Sequence, residues 1–164
     1  DQFLAGTATL TPSEHRGRKL FFTEYNEFFP DSSGADCAHC HNPGNFENDK
    51  YMNNGLDADA DIADIGREKV TGRPQDRGKM KVTSLRNIEL TAPYMHDGRF
   101  TTLEQVVEHY NTGIKQSATL DPALANTMGT GLMLTPQDKM DLVAFLKTLT
   151  DLDLMTKEEY SDPN

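Results

Sequence analysis

Both cysteines of the chain, Cys37 and Cys40, fall three positions apart in "ADCAHCHNPG", and His41 follows the second. Three chemistries use such a spacing. The first is a dithiol redox pair, which sits at a strand-to-helix junction of a βαβ unit; no such alternation is legible in this chain. The second is zinc, which takes four ligands; His39 lies nearby, but no further Cys/His pair at finger spacing occurs. The third is covalent haem attachment, whose signature is Cys-x-x-Cys-His. In that chemistry each part has a task. Two thiols a turn apart add to the two vinyl groups on one porphyrin edge, and the next imidazole lies under the iron as proximal ligand. Bacteria attach haem in this way outside the cytoplasm. The expected compartment is therefore the periplasm, where an unattached Cys-x-x-Cys would oxidise.

The second axial position decides between electron transfer and small-molecule chemistry. Met52, Met80, Met95, Met128, Met133, His96, His109 and Tyr110 are candidates, and an open position is a further alternative. Methionine would raise the potential, tyrosinate would stabilise ferric iron and lower it, and an open site would admit peroxide. Tyr110 lies on an apolar helix face and reads equally as packing. Its neighbour His109, roughly 100° further round a helix, is expected to be exposed. In "LRNIELTAPYMHDGRF", Arg86 and Arg99 bracket a turn-rich stretch. Arginine is the usual partner of carboxylates such as haem propionates, although two solvated surface arginines explain the pattern as well.

These residues need elements to hold them. "LTPSEHRGRKLFF" places Thr11 as N-cap, Pro12 at the first helical position and Glu14 three residues on, a capping box that opens a helix expected to reach Tyr25. "LTPQDKMDLVAFLKTL" repeats the Thr-Pro start, and Leu142, Val143, Phe145, Leu146 and Leu149 recur at helical spacing, which predicts a helix over 136–149. Leu103, Val106, Val107 and Tyr110 share one face of a helix expected over 102–111. Asp121-Pro122 opens a short helix, and 83–88 a helical turn. Strand signals are poor. The polar span from Asn42 to Lys81 is longer than a structureless loop in a compact domain ordinarily is. A haem, itself a large apolar surface, would explain how so few apolar residues organise it.

At 164 residues the chain is the size of one domain. Its net charge of −10 argues against nucleic acid and favours a basic or neutral partner. No apolar run approaches the roughly 18 residues of a membrane span. The charge is segregated: residues 45–65 carry a net −5 and residues 66–86 a net +5. Asp57, Asp59, Asp61 and Glu68 fall at positions 1, 3, 5 and 12 of an EF-hand loop, but Ile62 stands where that loop needs glycine.

Three stretches together, "GRKLFF…CAHCH", "KVTSLRNIELTAPYMHDGRFTTLEQVVEHYN" and "LTPQDKMDLVAFLKTLT", resemble the C-terminal haem domain of bacterial dihaem cytochrome c peroxidases, a family that includes the enzyme maturing the quinone cofactor of methylamine dehydrogenase. The resemblance covers Phe3 to Leu152. It implies an all-α, cytochrome-c-like domain of four or five short helices around one covalent haem c, with long irregular loops. It also implies a linker at 1–10 joining a second haem domain of a longer parent chain, a haem domain at 11–152 and a flexible tail at 153–164. By resemblance, Cys37, Cys40 and His41 attach and ligate the haem, and Tyr110 stands at the distal position, where peroxidases of the family have methionine. His96 matches a histidine near the haem edge. Thr91 and Pro93 match positions whose carbonyls bind a calcium between the domains. The implied function is the electron-transfer half of a peroxidase that reduces hydrogen peroxide with electrons from a small donor, a cytochrome c or cupredoxin. The isolated half is expected to show weak or no turnover. Two alternatives remain: a stand-alone monohaem carrier or sensor, and a tyrosinate-ligated haem for long-range oxidation of a protein substrate.

Overall fold

A computed structural model describes residues 1–161; the end of the expected tail, 162–164, lies outside the described residues. Six α-helical segments occur among the described residues: α1 (Pro12–Phe22), α2 (Glu68–Thr71), α3 (Leu103–Glu108), α4 (Pro122–Ala125), α5 (Pro136–Lys147) and α6 (Leu152–Thr156). The longer ones begin as their sequences dictate. Thr11, Thr102 and Thr135 each accept a hydrogen bond from the amide three residues on, while Glu14, Gln105 and Asp138 reach back to the cap. Each capping box satisfies amides that a helix start would otherwise leave unpaired. Helix α1 ends at Phe22, three residues short of the expected Tyr25, because Thr23 turns extended and its amide closes on the Lys19 carbonyl.

Helices α1 and α5 form the centre of the molecule. They approach most closely at Gly17, where any Cβ would overlap the Asp141 carbonyl and crowd Phe145. Beside the crossing, the Asp141 carboxylate is fully buried and accepts hydrogen bonds from Ser13, Arg16 Nε at 2.7 Å and Gln137 at 2.9 Å. Those bonds hold its pKa down at about 2, the Arg16 bond contributing most. Phe21, also fully buried, stacks edge-on against Phe145 at 5.3 Å and Phe46 at 5.7 Å. Leu103 and Val107 of α3, with Leu132, Leu134, Leu142 and Leu146, complete this core.

The polar span after residue 42 is organised by few apolar residues and by directed hydrogen bonds. A two-residue ladder pairs β1 (Tyr51–Met52) with β2 (Met80–Lys81), antiparallel, Met52 opposite Met80. Leu56, Ile62 and Val82 near it, and Leu120, are buried. Asn53, itself buried, donates to Ser117 at 3.0 Å and Thr119 at 2.9 Å, and its carbonyl accepts from Asp121 N at 3.1 Å. One side chain thus ties the span to the loop before α4.

Candidate haem site

The cysteine turn is set by the end of α1. Ala35 N donates to Leu20 O at 2.9 Å, and Asp36 N to Thr23 O at 3.0 Å. Gly34 passes so close to Thr23 that a Cβ would overlap its carbonyl, so only glycine fits there. Asp36 then adopts a left-handed backbone (φ 49) and starts the 3-10 turn Cys37–His39, after which His41 N closes on Cys37 O at 2.9 Å. Both thiols are unpaired and half-buried. Burial pushes each of them up to about 12. Reactive thiols of disulfide-exchange centres are shifted the other way.

His41 is oriented by the core. Its Nδ1 lies 3.1 Å from the Phe46 carbonyl, an acceptor only. With the proton on Nδ1, Nε2 is the nitrogen with a lone pair to offer. Burial lowers the His41 pKa, which favours the neutral, ligating imidazole. Phe46 adopts a left-handed backbone (φ 53), and its ring packs against Phe21 and Phe145. The core that holds that ring also holds the carbonyl that orients His41.

The candidate phenol, Tyr110, sits in the turn that follows α3. Tyr110 is packed against the core, and its phenol is pushed up to about 12, first by burial and further by the neighbouring Cys40 and Cys37 sulfurs. Asn54 Nδ2 donates to Tyr110 Oη at 3.5 Å and to Met95 Sδ at 3.3 Å. The Asn54 carbonyl accepts from His109 Nε2 at 3.0 Å. His109 is buried rather than exposed, a correction with a local cause. After Glu108 the helix widens into a π-turn, His109–Gly113, which alters the angular spacing and brings His109, Tyr110 and Asn111 inward together.

The other expected site residues sit as follows. Met128 is exposed and Met133 half-buried, and neither shares a hydrogen bond with Asn54 among the described residues. His96 is exposed on the turn between Tyr94 and Phe100, next to Met95. Arg99 pairs with Asp97 and Asp57, which raise its pKa, and donates to Leu56 O at 3.1 Å. Arg86 pairs with Asp1 at 2.9 Å and donates to Gly44 O at 2.5 Å. Both guanidinium groups thus point to protein acceptors. Thr91 and Pro93 are exposed, and neither carbonyl accepts a hydrogen bond among the described residues. The EF-hand carboxylates do not converge: Asp57 faces Arg99, Asp59 accepts from Ala118 N, and Glu68 pairs with Arg77. Phe46 and Asn54 are two residues of the candidate site that the sequence did not single out; nothing in it marked the Phe46 carbonyl, and Asn54 lies in a turn-forming stretch. Its only signal was the turn-forming "NNG" at 53–55, between Met52 and Leu56.

The residues present fit a covalently held haem. Two free, half-buried thiols stand a turn apart, the His41 imidazole follows the second, and the half-buried Tyr110 packs against the same core as Cys37. Phe46, Leu85, Ile88, Phe100 and Val106 are half-buried apolar side chains packed on the core.

A mostly helical fold built around such a turn defines a cytochrome-c-like domain. No family model matches the chain. It is 31% identical over 173 residues to cytochrome-c peroxidase IdrP1 of Pseudomonas sp. (strain SCT), covering 86% of this chain and 41% of that protein. It is 31% identical over 187 residues to the methylamine utilization protein MauG of Paracoccus denitrificans (strain Pd 1222), covering 92% and 46% respectively. Among solved structures, a MauG-like protein associated with microbial copper homeostasis superposes with a TM-score of 0.83 at 36% identity, over 99% of this chain and 54% of that one. The chain belongs to the cytochrome c peroxidase/MauG family and is homologous to its bacterial dihaem members. It spans about half the length of the curated relatives it matches. A haem cofactor is implied by those relatives.

Proposed function

We propose that this chain is the electron-transfer haem c domain of a periplasmic dihaem cytochrome c peroxidase-type enzyme, which reduces hydrogen peroxide with electrons from a small donor protein. The observation that carries the reading is the Cys37–Cys40–His41 turn, with Cys37 and the half-buried Tyr110 packed against the same core. Cys37 and Cys40 would carry the two thioether links, and His41 Nε2 would be the proximal donor. Tyr110 would be the distal donor. Haem, when bound, supplies a one-electron redox centre.

The chain's own residues set the conditions for that centre. The Phe46 carbonyl favours the His41 tautomer protonated at Nδ1. An anionic phenolate oxygen favours ferric iron and lowers the potential relative to a thioether. The net charge of −10 favours a basic donor, drawn in by the field of the whole molecule. The relatives' remaining length supports a second haem domain in the parent chain. The exposed Thr91 and Pro93 carbonyls are suited to a calcium ion completed by that other half.

A second reading, a tyrosinate-ligated haem for long-range oxidation of a protein substrate, is favoured by the same phenol. Absorption spectra of the matured haem protein test the ligand. Tyr110→Phe is expected to change the ferric spectrum. A thioether-to-iron band in the unmodified protein, or an unchanged spectrum in Tyr110→Phe, contradicts the assignment.

A further inference from the structure

Asn54 belongs to no haem motif, yet its side chain touches two groups able to ligate iron. Its amide nitrogen carries two hydrogens, so the contacts to Met95 Sδ (3.3 Å) and Tyr110 Oη (3.5 Å) can be made together. Thioether and phenol oxygen are donors of opposite preference. Soft sulfur suits reduced iron, and hard oxygen suits oxidised iron. The one amide therefore holds both competitors for a single position.

Met95 is also held from its backbone. It adopts a left-handed conformation (φ 71) that an unbranched L-residue tolerates poorly. The bridge between Tyr94 and Phe100, with Tyr94 N donating to Phe100 O at 2.7 Å, fixes the loop in which it sits. Asn54 itself is anchored without its side chain. Its carbonyl accepts from His109 Nε2 at 3.0 Å, and the next amide, Gly55 N, donates to Asn53 Oδ1 at 2.9 Å. Removing the Asn54 carboxamide therefore leaves the segment in place while releasing both donors.

We propose that Asn54 is a positioning residue that selects the distal iron donor, occupying the Met95 thioether with one N–H and steadying the Tyr110 oxygen with the other. This rests on Tyr110 being the distal donor. With the carboxamide gone, the sulfur is free to compete, and a ferric site built for oxygen ligation gains a thioether-ligated fraction.

The test uses the matured haem protein and its variants Asn54→Ala, Asn54→Ala/Met95→Leu and Tyr110→Phe. The readouts are the ferric near-infrared spectrum and the midpoint potential. Asn54→Ala is expected to gain a thioether-to-iron band and a potential shifted upward. Adding Met95→Leu is expected to abolish that band. If Tyr110→Phe alters the spectrum while Asn54→Ala leaves it unchanged, the Asn54 role is overturned and the Tyr110 assignment stands. If Tyr110→Phe changes nothing, the Tyr110 assignment falls, and the Asn54 role with it. Loss of haem content or stability in Asn54→Ala, with no thioether band in the haem-loaded fraction, shows a merely structural amide and also overturns the proposal.

Discussion

Ligation through His41 Nε2 needs the proton on Nδ1, and the Phe46 carbonyl 3.1 Å from Nδ1 favours that tautomer. Phe46→Ala should therefore act twice. Losing a half-buried ring from the Phe21–Phe145 cluster should cost about 2–3 kcal/mol, at the lower end for phenylalanine truncation. It should also disturb the haem spectrum, because the left-handed backbone that aims the carbonyl loses its anchor; thermal melts and absorption read the two effects separately. Asp141 offers a purely structural counterpart. Its pKa of about 2 lies below the unfolded value of about 3.9. The stability it contributes is thus present above about pH 4 and is lost as pH falls through about 2. Asp141→Asn should lower stability at neutral pH by about 1–3 kcal/mol. It should also flatten the acid limb of a denaturation profile between those limits. A parallel pH dependence in variant and parent would contradict the role given to its buried hydrogen bonds.

At the scale of elements, the α1–α5 crossing turns on Gly17. Gly17→Ala forces a methyl into the Asp141 carbonyl and Phe145, and should destabilise by about 3 kcal/mol in urea denaturation, the cost of overpacking a tight contact. The helices that make this crossing were legible in the sequence because Thr11-Pro12 and Thr135-Pro136 announce their starts and the apolar spacing repeats over two or more turns. The π-turn at His109–Gly113 was not legible. One added residue in a turn leaves no periodic trace, and a 3.6-residue reading therefore put His109 on the outside. Nor was the organisation of the polar span. Its fixed points are single side chains, Asn53 on Ser117 and Thr119, whose partners lie more than sixty residues away. The Cys37–Cys40–His41 turn could be read because its chemistry is local. The Asn54 contacts could not, because they join three separate segments.

The whole molecule is an acidic helical domain about half the length of the proteins it matches. Two expectations belong to this scale. The haem-loaded chain alone should turn over peroxide weakly or not at all when supplied with a reduced donor. Its reduction by a basic donor should slow as ionic strength rises, since a net charge of −10 steers through a field that salt screens. Stopped-flow reduction across a salt series reads the second directly, and a flat dependence would exclude steering by the overall charge. All of this depends on one bonded group. Intact-protein mass spectrometry of chain matured in a periplasm is the most direct measurement. The account predicts a mass greater than the bare polypeptide by one haem, with the addition lost in Cys37→Ala/Cys40→Ala. A properly matured protein carrying only its polypeptide mass would contradict it.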